Sequence, residues 1–172
     1  MTVTEPVARR PLSAQDPRLA PWRAFLGAHT LVSRRLDEEL RAEHDLSLAE
    51  YDTLLHIAYA PERRIRMRAL ADSVFLSKSG VTRLIDRLVA DGLVERSACA
   101  SDARGAEAVL TETGLERLRA ASRTHLRGID AHFLAALEPG DLEVIERAMG
   151  SIAERAERET DACRTPAVAG DR

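Results

Sequence analysis

Aromatic residues are scarce, at 3% of the 172 residues. That excludes a fold or site assembled from stacked rings, including an aromatic platform for single-stranded nucleic acid. Cysteine is almost absent. Cys99 and Cys163 form no CxxC pair and cannot alone supply a tetrahedral zinc site. No apolar run approaches the roughly 18 residues of a transmembrane helix, so no membrane partner is expected. The opening stretch MTVTEPVARRPLSAQDP carries no hydrophobic signal-peptide core, which makes a soluble cytoplasmic protein the expectation. Lysine occurs once, as Lys78, and every other basic residue is arginine; GC-rich coding bias is the simplest account. Neither sign of charge dominates. Lys and Arg number 25 against 28 Asp and Glu, so the net charge of −3 gives no global reason to expect a nucleic-acid partner.

What is present fits one globular domain. The length suits the usual roughly 100–200 residues per domain, with 45% hydrophobic and 31% charged residues. Residues 1–16 read as a flexible arm and 165–172 as a flexible tail. From Pro17 to about His44, Trp22, Phe25, Leu26, His29, Val32, Leu36 and Leu40 recur at steps of three and four, predicting a long amphipathic helix. Ser47 and Glu50 form a capping box for a second helix that runs to Pro61. Short helices fit 67–74 and 77–90, the latter with Ser77 as N-cap and Gly92 as stop. Extended runs at Leu93–Arg96 and Ala106–Thr111, separated by SACASDARG, predict a β-hairpin with a long exposed tip. Helical spacing resumes at Thr111–Glu112 and continues to about Leu137. Pro139 then fits the first turn of a last helix that runs to about Cys163.

Two short helices joined by a tight turn and followed by a hairpin have the plan of a winged helix-turn-helix. Its second helix enters the major groove of DNA. Here that helix is 77–90, with Val81, Leu84, Ile85 and Leu88 on one face and Ser79, Thr82, Arg83 and Asp86 on the other. Ser77, Lys78 and Ser79 at its start suit phosphate. Arg83 has the bidentate fork that reads guanine. The charge distribution agrees: residues 63–104 hold nine basic and five acidic residues, a net +4 that leaves −7 for the remainder. Arg63, Arg64, Arg66 and Arg68, between the second and third helices, are either phosphate contacts or a solvated loop.

The phrase LSKSGVTRLIDRLVADGLVER (76–96), followed by Asp102-x-Arg104-Gly105 and Leu110-Thr111-Glu112-x-Gly114, closely resembles the MarR (multiple antibiotic resistance regulator) family of transcription factors. The resemblance is strong over 46–114, and the flanking helices extend it to roughly 20–160. It implies a mainly α fold with a small β-hairpin wing, the winged helix-turn-helix core (about 47–112) lying between dimerisation helices at about 17–44 and 139–163. Together these make a single domain over 17–164. It further implies a homodimer that binds a pseudo-palindromic double-stranded DNA operator, with two reading helices spaced roughly 34 Å apart. Ser77, Lys78, Ser79, Thr82 and Arg83 are the implied DNA contacts. Arg104 is the implied wing-tip arginine for the minor groove, with Asp102 as its acidic partner. Arg87 and Arg96 are either phosphate contacts or intramolecular ion-pair partners.

Many proteins of this kind release DNA when a small phenolic or otherwise lipophilic effector enters a crevice beside the dimerisation helices. Trp22, His29, Asp52, His56 and Tyr59 are the candidate ligand-binding residues, with Tyr51, Leu55, His125 and His132 nearby in the pattern. A redox alternative rests on Cys99, with Arg96 and Arg104 near in sequence to lower its pKa. His125 and His132 are two helical turns apart, too far for a helical zinc pair, so no metal and no cofactor is expected. No nucleophile triad or phosphate loop supports an enzyme. The expected function is a transcriptional repressor, with a winged-helix protein-interaction module as the other reading.

Overall fold

In the computed structural model, residues 11–73, 78–99 and 102–164 are described, with side chains over 11–71, 79–97 and 106–160. The expected arm (residues 1–10 of it) and tail (165–172) therefore lie outside the described residues. The chain divides into two compact units, one ending at His132 and one beginning at Phe133.

The first unit opens with one 3-10 turn at Pro17–Leu19, capped by Asp16, whose carboxylate accepts from the Arg18 backbone N–H at 2.9 Å. Helix α1 (Ala20–His44) follows. It ends where Asp45 takes a left-handed φ of 51° and donates its N–H to the Arg41 and Leu40 carbonyls. Helix α2 (Leu48–Tyr59) starts at the predicted capping box: the Glu50 N–H donates to Ser47 Oγ at 3.2 Å, and the Ser47 N–H donates to Glu50 Oε2 at 2.7 Å. Helices α3 (Met67–Ser73) and α4 (Lys78–Ala90) come next. Gly92 stops α4 with a φ of 70°, donating to the Val89 carbonyl while Leu93 donates back to Leu88.

The sheet departs from the expected hairpin in two ways. Residues Arg64–Arg66, read as loop, form strand β1, which pairs antiparallel with strand β3 (Asp102–Leu110) through Arg64↔Val109, Ile65↔Ala108 and Arg66↔Glu107. Three residues are too few to show a period, and their partner is remote in sequence. The long tip is also corrected. Strand β2 (Val94–Cys99) and β3 stay paired out to Cys99↔Asp102, with a register shift between Ala98 and Cys99. Backbone pairing does not require the β-branched side chains that flag a strand, and SACASDARG lacks them. The sheet order is β1-β3-β2.

Helix α5 (Glu112–His132) completes the unit. It ends five residues short of the expected Leu137. The core joins Leu40, Leu46, Leu54, Ile57, Leu70, Ile85, Leu88 and Leu93, all fully buried. The C-terminal half of α1 packs on α5: Leu36 is buried there, and a Cβ on Gly128 of α5 would lie 2.6 Å from Leu36 Cδ2. Polar pairs line the same seam, including Glu39 Oε1–His132 Nε2 at 2.7 Å, His44 Nε2–Thr124 Oγ1 at 2.8 Å and the Arg117 guanidinium on the His44 carbonyl at 2.7 Å.

In the second unit, a 3-10 turn at Leu134–Ala136 follows Phe133, whose φ of −122° and ψ of −60° are not helical. Helix α6 (Asp141–Arg164) begins after Pro139, not with it in the first turn: Gly140 has a φ of 93°, and Asp141 accepts from the Glu138 N–H at 2.9 Å. The side chains of Leu142, Val144, Met149 and Ile152 are exposed on it. Among the described residues, no helix is long and apolar enough to cross a membrane.

Candidate nucleic-acid interface

Helix α4 is divided as its sequence predicts. Val81, Ile85 and Leu88 are buried against the core and Leu84 packs beside them, while Ser79, Thr82 and Arg83 are exposed. Burying that apolar stripe fixes the helix's rotation about its axis, so the opposite face must meet solvent or a ligand. Ser77 lies outside the described residues, and Lys78 is the first residue of α4 with its side chain outside them. Ser79 and Thr82 make further contacts within the chain. Arg83 is different: among the described residues no hydrogen bond or ion pair holds it. A guanidinium with no such partner, on the face opposite the buried stripe, is placed to grip an acceptor pair.

The other basic residues are largely engaged. Arg87 Nε lies 3.0 Å from Glu50 Oε1, with Asp91 at 3.9 Å and Asp45 at 4.0 Å. Arg96 of β2 reaches Asp86 of α4 at 2.7 Å. Arg87 and Arg96 thus each make an intramolecular ion pair. Arg63 pairs with Glu112 at 2.8 Å, and Arg64 lies near Glu62 at 3.4 Å and Glu107 at 3.6 Å. Arg68 is exposed. Asp102 and Arg104 lie on β3, and Cys99 ends β2, with all three side chains outside the described residues.

The junction between wing and α5 explains the LTETG phrase. Thr111 Oγ1 accepts from the Gly114 N–H at 2.9 Å, capping α5, and donates to the Gly92 carbonyl at 2.8 Å. The Thr111 N–H donates to the Leu93 carbonyl at 3.1 Å. One threonine therefore ties the end of α4, the start of β2 and the start of α5 together. The motif was legible in the sequence, but this reason for it was not.

The candidate effector residues form two groups. On α1, Trp22, Phe25 and His29 make a run of rings, with centroids 5.9 and 6.1 Å apart. Trp22 is 56% exposed. On α2, Asp52 lies near His56 and His125 of α5, and Tyr51 rests on the His125 ring with centroids 4.4 Å apart. Tyr59 is 83% exposed. Among the described residues no ring contact, hydrogen bond or ion pair joins the two groups. Burial lifts the Asp52 carboxyl above its ordinary range, against the pull of His125 and His56. Burial likewise pushes the His125 imidazole down, against Asp52, and its buried Nδ1 has no hydrogen-bond partner. Two clefts lie elsewhere. One of about 660 Å³ runs between the end of α1 and the start of α5, lined by residues such as Arg41, His44, Glu116 and Arg117. The other, about 240 Å³, sits in the crease of α3 and α4 at Met67, Arg68, Ala71, Val81 and Thr82. Among the described residues no group of three or more His, Cys, Asp or Glu is placed to hold a metal.

The His125 environment has a measurable consequence. A base whose pKa is lowered by folding contributes stability that is complete above its unfolded value, 6.5, and is lost as pH falls through the folded value. Urea unfolding is therefore expected to show a midpoint that declines below pH 6.5 more steeply for the parent than for His125→Gln. Equal slopes would show that His125 carries none of the pH dependence.

Two short helices in tandem, the second with a polar outer face, and a sheet-borne wing define a winged helix-turn-helix protein. The MarR family model matches residues 44–105. Among solved structures the chain is similar to AbsC, a MarR family transcriptional regulator from Streptomyces coelicolor. The two share 34% identity over 86% of this chain and 98% of that one, with a TM-score of 0.76. It is similar also to Sco3205, a MarR family regulator from the same organism solved in complex with DNA, at 31% identity over 84% and 89% of the two chains and a TM-score of 0.75. Sco5413, again a Streptomyces coelicolor MarR family regulator, shares the fold at 22% identity and a TM-score of 0.72, covering 83% of this chain and 96% of that one. Comparison with proteins of curated function gives no significant match. The chain belongs to the MarR family of transcriptional regulators, a family of regulators rather than enzymes.

Proposed function

We propose that the protein is a cytoplasmic, homodimeric repressor that binds a pseudo-palindromic double-stranded DNA operator and leaves it when a small aromatic or phenolic molecule binds. The observation that carries the DNA reading is the α4 surface, where a buried apolar stripe turns Ser79, Thr82 and Arg83 outward, Arg83 having no partner among the described residues. The DNA-bound state of Sco3205, at 31% identity, supports it. In this reading Arg83 contacts base edges, Ser77, Lys78, Ser79 and Thr82 contact the backbone, and Arg104, shaped by Asp102, enters the minor groove. Homodimerisation is supported by the apolar side chains that α1 and α6 each leave exposed along one face: Trp22, Phe25 and Leu26 on the first, Leu142, Met149 and Ile152 on the second. An exposed apolar helix face of that length calls for a partner surface. For the effector, the half-buried Asp52 and His125 on α2 and α5, with the buried Tyr51 against the His125 ring and His56 beside them, offer the polar handles. Trp22, His29 and Tyr59 complete the proposed pocket.

Arg104→Ala is expected to weaken binding to a selected operator duplex by roughly tenfold to a hundredfold at about 150 mM salt, with melting temperature and dimer mass unchanged. Fluorescence anisotropy and sedimentation velocity check it, and parental affinity in the variant would remove the wing-tip role. A thermal-shift screen of phenolic and purine compounds tests the effector reading. Stabilisation of the parent that Asp52→Asn abolishes is the expected result.

A further inference from the structure

The ion pair between α2 and α4 gives Arg87 a different task from that of Arg83. The Glu50 side chain is 5% exposed. Its Oε2 accepts from the Ser47 N–H and from Ser47 Oγ, both at 2.7 Å, which leaves Oε1 turned toward Arg87 Nε at 3.0 Å. A buried carboxylate stripped of its cation is a far larger loss than a broken surface pair. Arg87 thus faces Glu50, with Asp45 and Asp91 at the edge of its reach. With those acids around it, Arg87 has little field left to offer a phosphate. The cap is itself anchored: the Leu48 N–H donates to Asp37 Oδ1 at 2.8 Å, and Asp37 Oδ2 pairs with Arg41 at 2.7 Å, so the start of α2 is tied to α1. One residue earlier on α4, Asp86 holds Arg96 of the wing strand. Consecutive residues of α4 therefore grip the body on one side and the wing on the other. Arg83, one turn earlier, remains without a partner among the described residues.

We propose that Glu50 and Arg87 are positioning residues for DNA reading: the buried Glu50 carboxylate, set by the α2 cap, pins Arg87 and so fixes the pose in which α4 presents Arg83 to the groove. This rests on the DNA-binding reading and assigns Arg87 away from the phosphate backbone. A pose-setting contact acts on the fit to one sequence, whereas a phosphate contact acts on every duplex alike. The two roles thus leave different marks.

The test uses the full chain and two duplexes, one selected by the parent from a random library and one of scrambled sequence, each titrated across a salt series. Glu50→Gln keeps an acceptor for the Ser47 cap and removes the charge. Arg87→Gln and Arg87→Lys are made beside it, and circular dichroism melting follows the fold of each. Glu50→Gln and Arg87→Gln are expected to weaken the selected duplex by about tenfold and to leave the scrambled duplex and the salt slope unchanged. The double variant should be no weaker than either single one, and Arg87→Lys should recover part of the loss. A phosphate role predicts otherwise: Arg87→Gln would weaken both duplexes and lower the slope by about one, and Glu50→Gln would strengthen scrambled binding. Either result overturns the pin, as does equal loss on both duplexes in step with lost melting temperature, or unchanged discrimination. A parent that binds neither duplex overturns the DNA reading itself, and the pin with it.

Discussion

Raising monovalent salt from about 50 to about 200 mM is expected to weaken operator binding by roughly 10³–10⁵-fold. Each phosphate neutralised by a Lys or Arg releases condensed counterions, so affinity falls with a log–log slope close to the number of contacts. The whole-chain charge of −3 conceals the source of this sensitivity. Residues 63–104 carry +4, and several of their arginines are balanced within the fold: Arg63 by Glu112, Arg64 by Glu107, Arg87 by Glu50 and Arg96 by Asp86. In the proposed DNA-bound state the contacts come from Arg83 and the exposed Arg68, with Lys78, Arg104 and the start of α4, and a two-fold dimer doubles them. About six to ten contacts is the number that yields the stated loss. Anisotropy titrations at four or five salt concentrations measure the slope. A flat line would end the DNA-binding proposal.

Gly114→Ala is expected to destabilise the protein by about 3 kcal/mol, the upper end of ordinary overpacking, and to lower its melting temperature by roughly 10 °C. A Cβ at this position would stand 2.1 Å from the Leu93 carbonyl oxygen and 2.8 Å from Leu110 Cδ1. The first neighbour is backbone and cannot swing aside. It is also the carbonyl that accepts from the Thr111 N–H at 3.1 Å. Relief of the clash would therefore move the start of β2 or loosen the cap of α5, and both lie where the wing meets the body. Calorimetric melting of parent and variant checks the stability. Because the wing would shift as well, the variant should lose selected-duplex affinity even well below its melting temperature. A Gly114→Ala variant that melts with the parent would mean that the approach at this junction is looser than the structure shows.

The elements of the reading head were legible before any coordinates. The capping box of Ser47 and Glu50, the apolar spacing of Val81, Ile85 and Leu88, and the stop at Gly92 are local signals, and each appears where its spacing puts it. Signals that depend on remote partners were not legible. Strand β1 exists because Arg64–Arg66 meets Glu107–Val109, and nothing in three residues announces that pairing. The hairpin reaches Cys99 and Asp102 because backbone pairing continues through small residues that carry no strand signature. At the other end, α5 stops at His132 although helical spacing runs on to Leu137. Phe133 leaves the helical region there, and neither a proline nor a glycine marks the spot.

The candidate sites divide in the same way. Sequence alone determined the family, the polar face of α4 and the local +4 of residues 63–104, since periodicity, motif and charge all follow from residue order. Tertiary structure alone decided which basic residues are spoken for. Arg83 and Arg87 are one turn apart on the same helix, and the sequence left Arg87 open between a phosphate contact and an ion pair. Folding brings the buried carboxylate of Glu50 to within 3.0 Å of Arg87 and leaves Arg83 without a partner among the described residues. A charge's role is set by the charges around it and by the water removed from them, and both are properties of the packed chain.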